Sequence, residues 1–176
     1  MAKRTAGREV AAHSMLGAMR MILAAGILCC MASRGWAQMM PNPYGTSVTL
    51  ENAKKVAVPA LAEAEKNHWN VAVAIVDTSG NLVYYEKMDN TQLGSATIAV
   101  DKARTAALFK RPTKAFQDAV GASPDGARVV SMHNVIAVEG GIPLVMDGKI
   151  VGAIGVSGGT SAQDAQCAKA GADALK

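Results

Sequence analysis

EGGIPLVMDGKIVGAIGVSGG, residues 139–159, reads as a β-hairpin that runs into a glycine-rich loop. Residues 142–146 are apolar and suit a strand, Asp147-Gly148 is the tight turn, and residues 149–156 form the returning strand. Gly152 and Gly155 leave that strand bare, which predicts that another element packs closely on it. Gly140-Gly141 opens the hairpin. Residues 157–160 close it with a loop, and Ser161 with Asp164 three residues on forms a capping-box pattern for a last helix. That helix carries Ala165, Ala168, Ala172 and Leu175.

Working toward the N-terminus, a second hairpin precedes the first. VAVAIV (71–76) is a short β-rich run, DTSG (77–80) a four-residue connection, and NLVYYEKM (81–88) the partner strand. In residues 50–66, Ala53, Val56, Ala57, Ala60, Leu61 and Ala64 recur at helical spacing behind a possible Thr49 cap. Pro59 predicts a kink or a lost hydrogen bond there. Residues 95–109 return to helical character, with Ala99, Ala103 and Ala106 near one face, and Pro112 stops or redirects the chain. Residues 113–120 form a short helix and 121–126 a loop. VVSMHNVIAV (129–138) fits either a strand or an irregular run beneath a pocket. Two hairpins separated by helices define an α+β domain, an antiparallel sheet flanked by helices.

Composition narrows the function classes. The chain has 176 residues, 50% hydrophobic, 18% charged and only 4% aromatic, so its core is built from small side chains. The formal charge of +4 is uneven. Residues 1–37 carry five Lys/Arg and one acid, and the remainder carries 13 of each sign, which removes the case for a nucleic-acid partner. Lys3, Arg4, Arg8 and Arg20 precede the apolar run 21–33, and Gly35 and Ala37 stand at −3 and −1 of a cut before Gln38. That is the layout of a signal peptide over 1–37, and an uncleaved N-terminal anchor is the other reading. The expectation is a periplasmic or secreted protein with no stable membrane insertion after cleavage. Residues 38–47 read as a flexible lead-in and 48–176 as one domain. Beyond the cut only Cys167 remains, so no internal disulfide forms.

Four segments together resemble a known family: VDTSGNLVYYEKMD (76–89), DKARTAALFKR (101–111), the 139–159 stretch and QDAQCAKAGADAL (163–175). In this order and spacing the chain is similar to the GlcG/HbpS-like family of heme-binding and uncharacterised small domains, and to the C-terminal domain of PduO-type proteins. The resemblance implies a profilin-like α+β fold, a homo-oligomer and, as in some exported members, heme as ligand.

The chemical candidates follow from residue type. Arg104 has the fork geometry for a carboxylate such as a heme propionate, or it pairs structurally with Glu139 or another acid. Lys102 lies in the same stretch and is a second candidate for a ligand's acid groups. The backbone N–H groups of Gly158 and Gly159, ahead of a helix, either receive an anion or simply cap the turn. His133, beside Met132, is the preferred heme-iron ligand, with a hydrogen-bonded core or interface histidine as the alternative. No zinc cluster, nucleotide loop or nucleophile elbow is present. The expected function is a heme-binding or heme-sensing domain. An enzyme or accessory protein for a small organic acid or aromatic catabolite, and a scaffold without ligand, are the alternatives.

Overall fold

The computed structural model describes residues 41–175; the expected signal peptide lies outside the described residues, as does the start of the lead-in. Helix α1 spans Leu50–Lys66, strand β1 Ala72–Val76, β2 Leu82–Lys87, helix α2 Ser95–Phe109 and helix α3 Lys114–Ala122. A 3₁₀ helix at Gly126–Ser131 leads to β3 at Gly141–Met146, β4 at Lys149–Ser157 and helix α4 at Ser161–Asp173. The four strands lie in the order β2-β1-β4-β3, every neighbouring pair antiparallel. The α+β architecture expected from the two hairpins is therefore the observed one.

The hairpins meet through their inner strands. Val73 stands opposite Val156 and Ile75 opposite Ile154, so β1 and β4 form the sheet centre and β2 and β3 its edges. All five residues of β1 are buried because both faces of the sheet are covered. Their alternation sorts by size. Val73 and Ile75 join Val56, Ile154, Val156 and Cys167 in a core under α1 and α4. Ala72 and Ala74 face Ala99, Ala103 and Ala106 of α2 on the other side. One helix layer thus stands off on branched side chains, and the other rests almost on the backbone.

Two paired glycines permit that close approach. Gly141 and Gly155 face each other across β3 and β4. A Cβ on Gly155 would overlap the Ala99 carbonyl, and one on Gly141 would overlap the Lys102 carbonyl, so α2 sits where any side chain would stand. At Gly155 the closely packed element that the sequence predicted is this helix, whereas at Gly152 the space is taken by the Val76 carbonyl and Val48.

Local signals behave with two exceptions. Thr49 caps α1, its Oγ1 accepting from Asn52 N–H at 3.2 Å. Pro59 lies within α1, and the helix runs through it to Lys66 as the periodicity predicts, held by the packing of Val56, Ala57 and Ala60. The cap of α4 shifts by one residue from the expected Ser161–Asp164 pair. Thr160 is the N-cap and Gln163 completes the capping box, which frees Asp164 for another role. Residues 129–138 contain no strand; the 3₁₀ helix ends there and turns give way to irregular chain. The part of the lead-in that is described is tied to the sheet. Gly45 N–H donates to Ile150 O, Ile150 N–H donates to Pro43 O, and the Tyr44 hydroxyl donates to Ala107 O at 2.8 Å. No helix among the described residues is long and apolar enough to cross a membrane.

Candidate functional site

Sequence reasoning assembled an anion site from Lys102, Gly158 and Gly159. The structure brings these groups together, but around a carboxylate of the chain itself. Lys102 Nζ lies 2.7 Å from Asp164 Oδ2 and donates to Val156 O at 2.9 Å. Gly159 N–H donates to Asp164 Oδ1 at 2.9 Å, and the Gly158 N–H adds to the same carboxylate. Lys102 is fully buried and Asp164 is 2% exposed. Burial pulls the Lys102 ammonium below its ordinary range, against the hydrogen bond and charge of Asp164, and pushes the Asp164 carboxyl above its own.

This buried pair explains the VSGG segment physically. It bolts α2 to the end of β4 and the start of α4, which lie 54 and 62 positions further along the chain. Gly158 is pressed so close to Asn70 and Val71 that a side chain there would overlap the Asn70 carbonyl. The Lys102 ammonium is therefore turned inward, and the N–H groups of Gly158 and Gly159 are already engaged by Asp164.

Arg104 takes the opposite orientation, two residues along the same helix. Its Nε donates to Gly80 O at 3.1 Å, tying α2 to the first hairpin's turn. The guanidinium side chain stays 46% exposed, and its nearest acid, Asp101, is 3.7 Å away. Within the described residues the acid beside it is Asp101 and not Glu139. With Asp101, Asn134, Val135 and Ile136, Arg104 lines an open cavity of about 280 Å³.

The far wall of that cavity depends on a threonine. Thr105 is fully buried; its hydroxyl donates to Asn134 O at 3.3 Å and accepts from Ile136 N–H at 3.0 Å. One side chain on α2 thereby fixes the backbone of the loop opposite Arg104. Asn134 itself holds φ +59°, which turns the chain at this point. His133 immediately precedes it and is exposed, in a turn and not in the apolar surroundings the sequence suggested. Val130 and Met132, 67% and 41% exposed, extend the uncovered apolar surface beside it. The sequence offered residues 129–138 as an irregular run beneath a pocket but did not single out 134–136, because their place is set by Thr105, 29 to 31 positions away. No cluster of three or more His, Cys, Asp or Glu side chains able to hold a metal ion occurs among the described residues.

A layered α/β/α domain with a glycine-seated helix and this sequence pattern belongs to the HbpS-like family. The family model described as "Haem degrading protein HbpS-like" matches residues 48–173. Among individual relatives, GlcG of Escherichia coli (strain K12) is 42% identical over 114 residues, which cover 64% of this chain and 84% of GlcG. The crystal structure of HbpS is 32% identical with a TM-score of 0.69, covering 81% of this chain and 97% of that one. The PduOC protein, solved as a heme complex, is 28% identical with a TM-score of 0.67, covering 74% and 96% respectively.

Proposed function

We propose that the protein is an exported heme-binding domain that acts as a homo-oligomer and holds heme at the Arg104 cavity. The observation that carries this reading is the half-exposed Arg104 guanidinium facing a loop whose apolar side chains are uncovered. PduOC, a relative in fold and sequence, is a heme binder by its own structure.

The donor set fits a flat, apolar ring with carboxylate arms. Arg104 keeps guanidinium N–H groups beyond its Nε–Gly80 bond, and a fork of this kind suits a propionate. Val135 and Ile136 offer partly buried apolar contact, and His133 carries an exposed imidazole on the same loop. Bound heme would supply an iron whose axial positions serve redox or ligand-exchange chemistry. Lys102 is excluded from this role by its engagement with Asp164. A cavity of about 280 Å³ sits at the lower edge of the ~300–1,000 Å³ typical of sites that bury a small ligand. One subunit therefore covers part of a tetrapyrrole, and a second copy completes the enclosure.

Titrating the purified chain with hemin while following the Soret band tests the reading. Saturable binding is expected, weakened about tenfold by Arg104→Ala through loss of a charge-assisted hydrogen bond. His133→Ala is expected to shift the band position. A titration with no saturable spectral change ends the proposal. Export rests on the sequence layout of residues 1–37, and mass spectrometry of the chain from a periplasmic fraction checks it: a new N-terminus at Gln38 supports it, and an intact Met1 overturns it.

A further inference from the structure

A second cavity, of about 370 Å³, opens at the start of β3 and shares no lining residue with the Arg104 site. Its walls are apolar: Pro112 and Ala115 ahead of and on α3, Ile142 on β3, and Ala165 on α4. Its floor is Gly140-Gly141. Gly140 holds φ +123°, and a Cβ there would stand 2.8 Å from Lys102 Nζ, so the floor is bare backbone stretched over the buried ion pair. This floor cannot carry a side chain, and the hollow above it is kept by construction.

The charges around it do not cancel. Lys102 is engaged with Asp164, and Lys114 at the cavity mouth is engaged with Asp118 at 2.7 Å. That leaves Glu139, whose backbone N–H is fixed by Gln117 Oε1 at 2.9 Å. Its carboxylate feels the charge of Lys102 and Lys114 but makes no hydrogen bond or ion pair with any described residue. Among the lining residues one ammonium, Lys114, thus meets two carboxylates, Asp118 and Glu139, and the surplus negative charge belongs to Glu139.

We infer that this cavity is a binding site for a compact organic cation, an ammonium on a small apolar body, with Glu139 as the acceptor of its N–H groups. The apolar walls favour the body, and one uncommitted carboxylate sets the sign of the head group. An anion of the same shape would meet Glu139 with like charge, while the one cation in the lining, Lys114, is already paired with Asp118.

Isothermal titration of the full chain with benzylammonium, benzyl alcohol and benzoate tests the assignment. Saturable binding is expected for benzylammonium, weaker binding for the alcohol and none for benzoate. Glu139→Gln is expected to weaken benzylammonium about tenfold or more while leaving hemin titration unchanged. Ala115→Leu, at an exposed position on the rim, fills the cavity and is expected to abolish binding without unfolding the chain, and it decides the matter if Glu139→Gln fails to fold. Arg104→Ala is expected to leave benzylammonium binding unaltered. Absence of saturable benzylammonium binding, equal binding of benzoate, or indifference to both cavity variants overturns the inference and leaves the heme reading untouched.

Discussion

At the residue scale, Lys102 shows how one side chain can serve as a structural bolt. Its ammonium is enclosed with the Asp164 carboxylate, and both have lost water. Such a pair adds little net stability compared with an apolar substitute, yet removing one partner strands the other. Lys102→Met is expected to lower the unfolding free energy by about 3–5 kcal/mol. The double variant Lys102→Met/Asp164→Asn is expected to lie nearer the parent, because Asn keeps an acceptor for Gly159 without a buried charge. Chemical denaturation of the three proteins checks this, and a cost below about 1 kcal/mol for Lys102→Met contradicts the bolt. Sequence reading offered Lys102, Gly158 and Gly159 as contacts for a ligand's acid groups, with structural pairing and turn capping as the alternatives. The carboxylate they meet was hidden because Asp164 lies 62 positions from Lys102 and mimics a helix-cap residue. Cys167, packed under the same layer, is held inert by burial, its thiol pushed up to about 11.

At the element scale, α2 depends on what the sheet lacks. The glycine pair under it lets a helix of alanines reach the strands, and van der Waals contact there has no slack. Gly155→Ala is expected to cost about 2–3 kcal/mol or more, since the added methyl meets the Ala99 carbonyl and the backbone must shift. A change of the same size at exposed Gly121, where a Cβ meets nothing within 4 Å, is expected to leave the melting temperature nearly unchanged. Thermal unfolding of both variants reads the contrast. These elements were largely legible in the sequence. α1 and α2 have the limits that alanine periodicity predicts, and the strands fall within a residue of their apolar runs. What the sequence left open was tertiary in origin: whether residues 129–138 form a strand or an irregular run, which the structure settles as irregular. That course follows Thr105 and carries no periodic signal of its own.

At the scale of the whole molecule, order is unevenly distributed. β1 and β4 are sealed between helices, whereas no residue of the 3₁₀ helix Gly126–Ser131 is buried. Amide hydrogen exchange is expected to be slowest in β1 and β4 and fastest across residues 126–134. Hemin is expected to slow exchange in residues 130–136, which border the proposed site. Unchanged exchange there at saturating hemin places the ligand elsewhere. The fold was readable because glycine and alanine positions record close approach directly. The Arg104 site was only half readable, because the opposite wall has its place from a contact distant in the chain.

The seating of α2 also constrains how such a sequence can drift. Under α1 and α4 the sheet meets valine, isoleucine and leucine, where one branched residue can replace another with modest repacking. Under α2, Val76 apart, the clustered residues are alanines set over glycines, so most single substitutions add bulk that nothing nearby can yield to. Variation accumulating over generations should therefore settle on one side of the molecule, while the other remains frozen around the helix that presents Arg104.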